Sequence, residues 1–72
     1  MRADEALQAI TYFIDDAQVA SAPRVRILHG TGSGILRTVI REYLSTIPTI
    51  TSIRDEHPQF GGTGITIAEF EY

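Results

Sequence analysis

The residues best placed to do chemistry in this chain are His29-Gly30-Thr31-Gly32-Ser33-Gly34 and the two arginines that follow, Arg37 and Arg41. Three glycines at every second position make a loop almost free of side chains, and a helical pattern begins at Ile35. Such a loop, emptying into a helix N-terminus, leaves backbone N–H groups outward with the positive end of the helix dipole behind them. That arrangement seats an anion, and phosphate is the usual guest. One glycine would satisfy a plain strand–helix turn, so three of them ending a strand at a histidine favour a binding loop. His29, as an imidazole, has the chemistry of a general acid or base beside a bound phosphodiester. The alternative is a strand-end histidine bonded to its own loop.

Arg37 falls in the first turn of the helix, where a cation opposes the dipole. Arg41 follows at i+4 on the same face, a like-charge pair that disfavours the helix by about a few tenths of a kcal/mol. An anion near both would reverse that penalty; two solvated arginines beside Glu42 are the simpler reading. His57, next to Asp55 and Glu56, is at most half of a divalent-metal site, since two histidines in the chain define no ligand geometry. Asp15 and Asp16 lack a histidine neighbour and read as a solvated helix face. Gly61, Gly62 and Gly64 read as turn-formers.

The elements that must position these residues follow from periodicity. Ala6, Leu7, Ile10, Phe13, Ile14 and Ala17 recur at helical spacing over residues 3–20, and Ser21-Ala22-Pro23 ends that helix. Residues 24–29 alternate as a strand. Leu36, Val39, Ile40, Tyr43, Leu44 and Ile47 mark a second helix over 35–47, stopped by Pro48. A strand over 49–56 carries Ile50 and Ile53, whose odd spacing implies a bulge. The last strand runs from 65 to 71, alternating Ile65 and Ile67 against Thr66, Ala68 and Phe70.

The order is α-β-α-β-β, an α/β (α+β two-layer) arrangement with two helices on one face of a small mixed sheet. Strand 24–29, helix and strand 49–56 should form a right-handed parallel crossover. Both strands of such a unit end at one edge of the sheet, so the loop after His29 and the loop 57–64 should share that edge, where ligands of open sheets gather. Leu7, Ile10, Phe13, Ile14, Leu36, Ile40, Tyr43 and Leu44 should be largely buried. Strand 24–29 has a free edge, and helix 3–20 has no strand before it, as though the chain began one strand late.

Composition bounds the function. Seventy-two residues make one small domain, which buries only about 60% of its unfolded surface. There is no cysteine, and no apolar run approaches the ~20 residues of a membrane span. With no signal-peptide pattern either, a cytoplasmic protein is expected. The net charge of −3 argues against a general nucleic-acid coat. Any phosphate binding must come from a local cluster, and all six basic residues are arginine, whose planar fork suits phosphate.

Arg2-Ala3-Asp4-Glu5-Ala6-Leu7, the run His29 to Arg37, and Gly61-Gly62-Thr63-Gly64-Ile65-Thr66 occur in this order across nearly the whole chain. Together they resemble the Smr (small MutS-related) domain, in particular the one closing MutS-like proteins of the second type. The resemblance implies a β-α-β-α-β-β two-layer sandwich like the C-terminal domain of translation initiation factor three, so that 1–72 is a single Smr-like domain and a C-terminal fragment of a larger protein. It implies binding of DNA or structured RNA and, in many members, nicking or RNA-cleaving endonuclease activity. Roles in recombination and ribosome rescue follow from the same likeness. The expected partners are nucleic acid, the rest of the parent MutS-like protein and the ribosome, with no membrane. His29 is then the catalytic residue, and Gly30, Thr31, Gly32, Gly34, Arg37 and Arg41 bind nucleic acid; Arg2 joins them where the first helix starts at the same edge. No cofactor is required by the motifs, a divalent metal being the open option.

Two departures stand out. The family's opening Leu-Asp-Leu-Arg/His-Gly strand is absent, and its acidic residue is needed for cleavage in some members, so this chain could bind without cutting. Thr31 stands where the family's loop often has lysine; if that contact is worth about 1.4 kcal/mol, affinity falls about tenfold. Two other readings compete: a docking module for the ribosome or a protein partner, without chemistry, and a nucleotide-binding fragment. The last lacks both G-x-G-x-x-G spacing and the P-loop lysine.

Overall fold

A computed structural model describes residues 2–32 and 34–72. Ser33 of the glycine loop lies outside the described residues. The elements are α1 (Ala3–Val19), β1 (Arg24–Leu28), α2 (Ile35–Leu44), β2 (Ile50–Asp55) and β3 (Ile65–Phe70), with two short 3-10 turns, Pro58–Phe60 and Gly62–Gly64, before β3. All five expected elements are present in the expected order.

Each boundary has a local cause. The first turn of α1 carries Asp4 and Glu5, which complement the dipole. Its far end closes as a Schellman motif: Ser21 N–H donates to the Gln18 carbonyl, and Ala22 N–H to the Ala17 carbonyl. The residue at the left-handed position is Ser21, at φ 55°, where glycine is usual. α2 ends at Leu44, three residues before the expected Ile47, because Thr46 and Ile47 tighten onto the Tyr43 and Leu44 carbonyls. The register of β2 slips between Ile50 and Ser52, the bulge that the spacing of its isoleucines implied.

The sheet order is β1-β3-β2, and both pairings are antiparallel. The expected parallel unit is therefore realised in direction but not in pairing. β1 and β2 run the same way, yet β3 lies between them and takes the hydrogen bonds of both. Among the described strands the sheet is antiparallel rather than mixed. The consequence for the loops survives, because β1 and β2 still end at the edge where β3 begins.

Both helices cover one face. Ile14 and Ala17 of α1 and Ile40 and Leu44 of α2 share a core with Val25, Ile27, Ala68 and Phe70. Burying a side chain such as Leu44 or Ile14 contributes roughly 1.5–3 kcal/mol each. Leu7, Ile10, Leu36 and Tyr43 are half-buried. Phe13 contradicts its expectation, with 45% of its surface exposed. The buried stripe of α1 runs Ala6, Ile10, Ile14, Ala17, and Phe13 lies on its flank. The opposite face of the sheet mixes charged and apolar residues: Arg26 and Arg54 flank the buried Ile67 across the ladder and pair with Glu56 and Glu69, and Leu28 lies beside Ile65.

Candidate nucleic-acid interface

Two of the three loop glycines are fixed by conformation. Gly30 and Gly34 hold φ of 81° and 83°, and Gly34 caps the start of α2 without a side-chain bond to its first turn. Gly32 needs neither positive φ nor space, since a Cβ there would meet no atom within 4 Å. Its missing side chain has no internal cause.

The two glycine-rich loops meet, as the edge argument requires. The Gly64 carbonyl accepts from both His29 N–H at 3.1 Å and Gly30 N–H at 3.0 Å. Gly64 is itself buried so tightly that a Cβ would come within 3.2 Å of the Thr31 methyl. It acts as a clamp between the loops, beyond the turn-forming role expected of it.

His29, Gly30, Gly32, Gly34, Leu36 and Arg37 line a cleft of about 70 Å³. This is room for roughly two waters, well under the roughly 300–1,000 Å³ of sites that enclose a small molecule. A phosphoryl group fits such a space; a nucleoside does not.

Arg37 and Arg41 both donate from a terminal guanidinium nitrogen to the same oxygen of Asp55, Arg37 at 2.9 Å. The hydrogen bond and charge of Arg37, with Arg41 behind it, hold the Asp55 carboxyl below the ordinary carboxylate range. The like-charge pair foreseen on α2 is thus bridged by a carboxylate from the end of β2. Arg37 Nε is buried and has no hydrogen-bond acceptor among the described residues. Arg41 Nε donates to Thr66 Oγ1 at 3.2 Å, and His29 Nε2 lies 2.7 Å from the same oxygen. One polar chain therefore links His29, Thr66, Arg41, Asp55 and Arg37.

Other expected residues stand apart. Arg2 pairs only with Asp4 at 3.6 Å among the described residues, exposed at the start of α1. The Asp55-Glu56-His57 run divides three ways. Asp55 faces the arginines of α2, Glu56 turns to Arg26, and His57 Nδ1 accepts from Gln59 N–H at 3.1 Å. No group of three or more His, Asp or Glu side chains suited to a metal occurs among the described residues. The Glu56 carboxyl is held low by the His57 backbone N–H and then by Arg26.

Sequence reasoning missed Asp55 as the arginines' partner and Thr66 as the hub. Thr66 did carry a signal, being the polar member of the core-facing set Thr66, Ala68, Phe70. Asp55 carried none beyond its place at the end of β2.

This two-layer fold, with a histidine-ended glycine loop clamped against a second glycine loop, defines a class of small domains. The Smr domain model matches residues 1–71, and the chain belongs to the Smr domain family. The chain is 43% identical over 70 residues to the Endonuclease MutS2 of Listeria welshimeri, and 36% identical over 69 residues to that of Aquifex aeolicus. These matches cover 97% and 96% of this chain but only 9% of each relative. The crystal structure of the Smr domain of Thermus thermophilus MutS2 superposes with a TM-score of 0.93 at 32% identity, over 100% of this chain and 90% of that one. The stand-alone small MutS-related protein YdaL of Escherichia coli shares the fold, with a TM-score of 0.92 at 20% identity over 100% of this chain and 60% of that one.

Proposed function

We propose that this Smr domain binds the phosphodiester backbone of nucleic acid at the edge formed by residues 29–34 and 57–64, and serves as the nuclease module of a MutS-like protein. The observation that carries the reading is Arg37, a side chain lining a phosphate-sized cleft with a buried Nε–H that has no acceptor among the described residues. A buried donor of this kind is costly unless a ligand supplies the acceptor. Gly32 supports the same reading, since its bare backbone lets an anion approach. The names of the MutS2 relatives support an endonuclease, and His29 is the histidine that lines the cleft, able to exchange a proton at a bound phosphate.

The roles are divided. The loop backbone, Gly30 to Gly34, and Arg37 hold the phosphate; Arg41 adds charge from behind; His29 serves in cleavage. Selectivity for DNA or RNA, and a part for a divalent cation, are separate questions that the same assays answer.

Binding and nicking are measured together on a labelled oligonucleotide, with and without Mg²⁺ or Mn²⁺. Arg37→Ala should weaken binding and reduce the salt slope by about one unit. His29→Ala should largely spare binding and abolish cleavage. Unchanged affinity and salt dependence in Arg37→Ala would refute the reading.

A docking module for the ribosome or a protein partner is the second reading, and one observation favours it. Arg2, Arg26, Arg37, Arg41 and Arg54 all make ion pairs within the chain, which mutes an already acidic domain toward phosphate. Under that reading the chain binds its partner with Arg37 and His29 both dispensable.

A further inference from the structure

Thr66 is the sole polar residue among the fully or nearly fully buried side chains described, with 0% exposure. It sits on the helix-facing side of β3, in register with Ile27 on one side and Asp55 on the other. Its neighbours on that face, Ala68 and Phe70, are apolar core residues. Valine has the same shape and would carry no hydroxyl to desolvate, so packing alone does not call for threonine here.

With a neutral imidazole, the bonds around the hydroxyl admit one arrangement of hydrogens. Arg41 Nε only donates, so Thr66 Oγ1 accepts from it at 3.2 Å. The Gly30 carbonyl only accepts, so His29 Nδ1, 2.9 Å away, must carry a proton. A neutral imidazole has one N–H, which leaves Nε2 with a lone pair. The hydrogen on the 2.7 Å line between Nε2 and Thr66 Oγ1 is therefore the threonine's own. The hydroxyl accepts from Arg41 and donates to His29, and Arg41 is tied in turn to Asp55.

We propose that Thr66 is a positioning residue that, braced by Arg41 and acting with the Gly30 carbonyl, holds His29 as the Nδ1–H tautomer. Held this way, the ring offers a hydrogen rather than a lone pair on the loop side, where Gly30 lines the cleft. A bound phosphate oxygen can take the place of the Gly30 carbonyl as its acceptor. That consequence rests on the phosphate reading above; the tautomer does not, and it is measured without ligand.

The chain contains its own control. His57 Nδ1 accepts from the Gln59 backbone N–H at 3.1 Å, which makes His57 the opposite, Nε2–H tautomer. Long-range ¹⁵N–¹H correlation spectra of the 72-residue chain at about pH 8, above the imidazole range, report both rings. The wild-type chain should show a protonated Nδ1 and bare Nε2 for His29, and the reverse for His57. Thr66→Val should move His29 toward the Nε2–H form while His57 stays unchanged, and Thr66→Ser should restore the wild-type pattern. A wild-type His29 in the Nε2–H form overturns the proposal, as does a folded Thr66→Val chain that keeps His29 in the wild-type form. Should Thr66→Val not fold, the wild-type spectrum and Thr66→Ser still decide: a serine chain that loses the Nδ1–H form of His29 also overturns it. Failure of Arg37→Ala to weaken nucleic-acid binding would refute the phosphate reading and leave this result standing.

Discussion

Replacing Asp55 by asparagine removes the carboxylate that Arg37 and Arg41 share while keeping the side chain's size. Two guanidiniums meet one oxygen there, so the cluster carries one net positive charge beside the cleft that Arg37 lines. Asp55→Asn raises that to two. If the released charge neutralises one more phosphate, the salt slope of binding steepens by about 0.9 for duplex DNA or about 0.7 for a single strand. Between about 50 and 200 mM salt, a slope change of about 0.9 makes the loss of affinity about 3.5-fold larger than in the wild-type chain. The assay is fluorescence anisotropy with a labelled oligonucleotide across that range, with a thermal melt to confirm folding. Affinity at low salt should rise. A folded Asp55→Asn chain with an unchanged or shallower slope would refute the idea that Asp55 competes with phosphate. It would make Asp55 the scaffold that holds the arginines in their binding geometry.

Three further expectations are open to simpler tests. Gly32→Ala should leave the melting temperature unchanged or raised, because neither φ nor space demands glycine, yet weaken oligonucleotide binding in the same anisotropy assay. Ser21→Gly relieves the left-handed serine that closes α1 and should stabilise the chain by about 0.5–1 kcal/mol, read as a rise of about 2–8 °C in the melt. The Asp55 and Glu56 carboxyls are both depressed in the folded state, so their stabilisation is complete above the ordinary carboxylate range and lost as pH falls through their folded values. Acid melts should therefore weaken progressively below about pH 4, and Asp55→Asn should flatten part of that limb.

The fold was legible where local pattern and burial agree. The stripe Leu36, Ile40, Tyr43, Leu44 defined α2, and the irregular Ile50–Ile53 spacing announced the bulge in β2. Strand order was not legible, because alternation shows which residues share a face and says nothing of which strand is adjacent. β3 took the central place that the parallel reading left to direct β1–β2 pairing. Phe13 was misjudged because a helical stripe drawn from spacing alone is wider than the contact that α2 and the sheet provide.

At the site, the sequence supplied what lies within one segment: His29, the glycines and the Arg37–Arg41 spacing. The partners that set their chemistry come from elsewhere, Asp55 fourteen residues past Arg41 and Thr66 on the final strand. Their roles are tertiary. A polar residue in a core-facing position, as Thr66 is between Ile27 and Asp55, is the kind of local exception that marks a functional network.

The central claim is that phosphate is bound where the two glycine loops meet. It is tested most directly by titrating a short unlabelled oligonucleotide into the ¹⁵N-labelled chain and following the backbone amides. The account predicts that Gly30, Thr31, Gly32, Gly34 and Arg37 shift first and furthest, with saturation weakened by added salt. Shifts confined to the sheet face away from the helices, at Arg24, Arg26 and Arg54, with the loop amides unmoved, would contradict it.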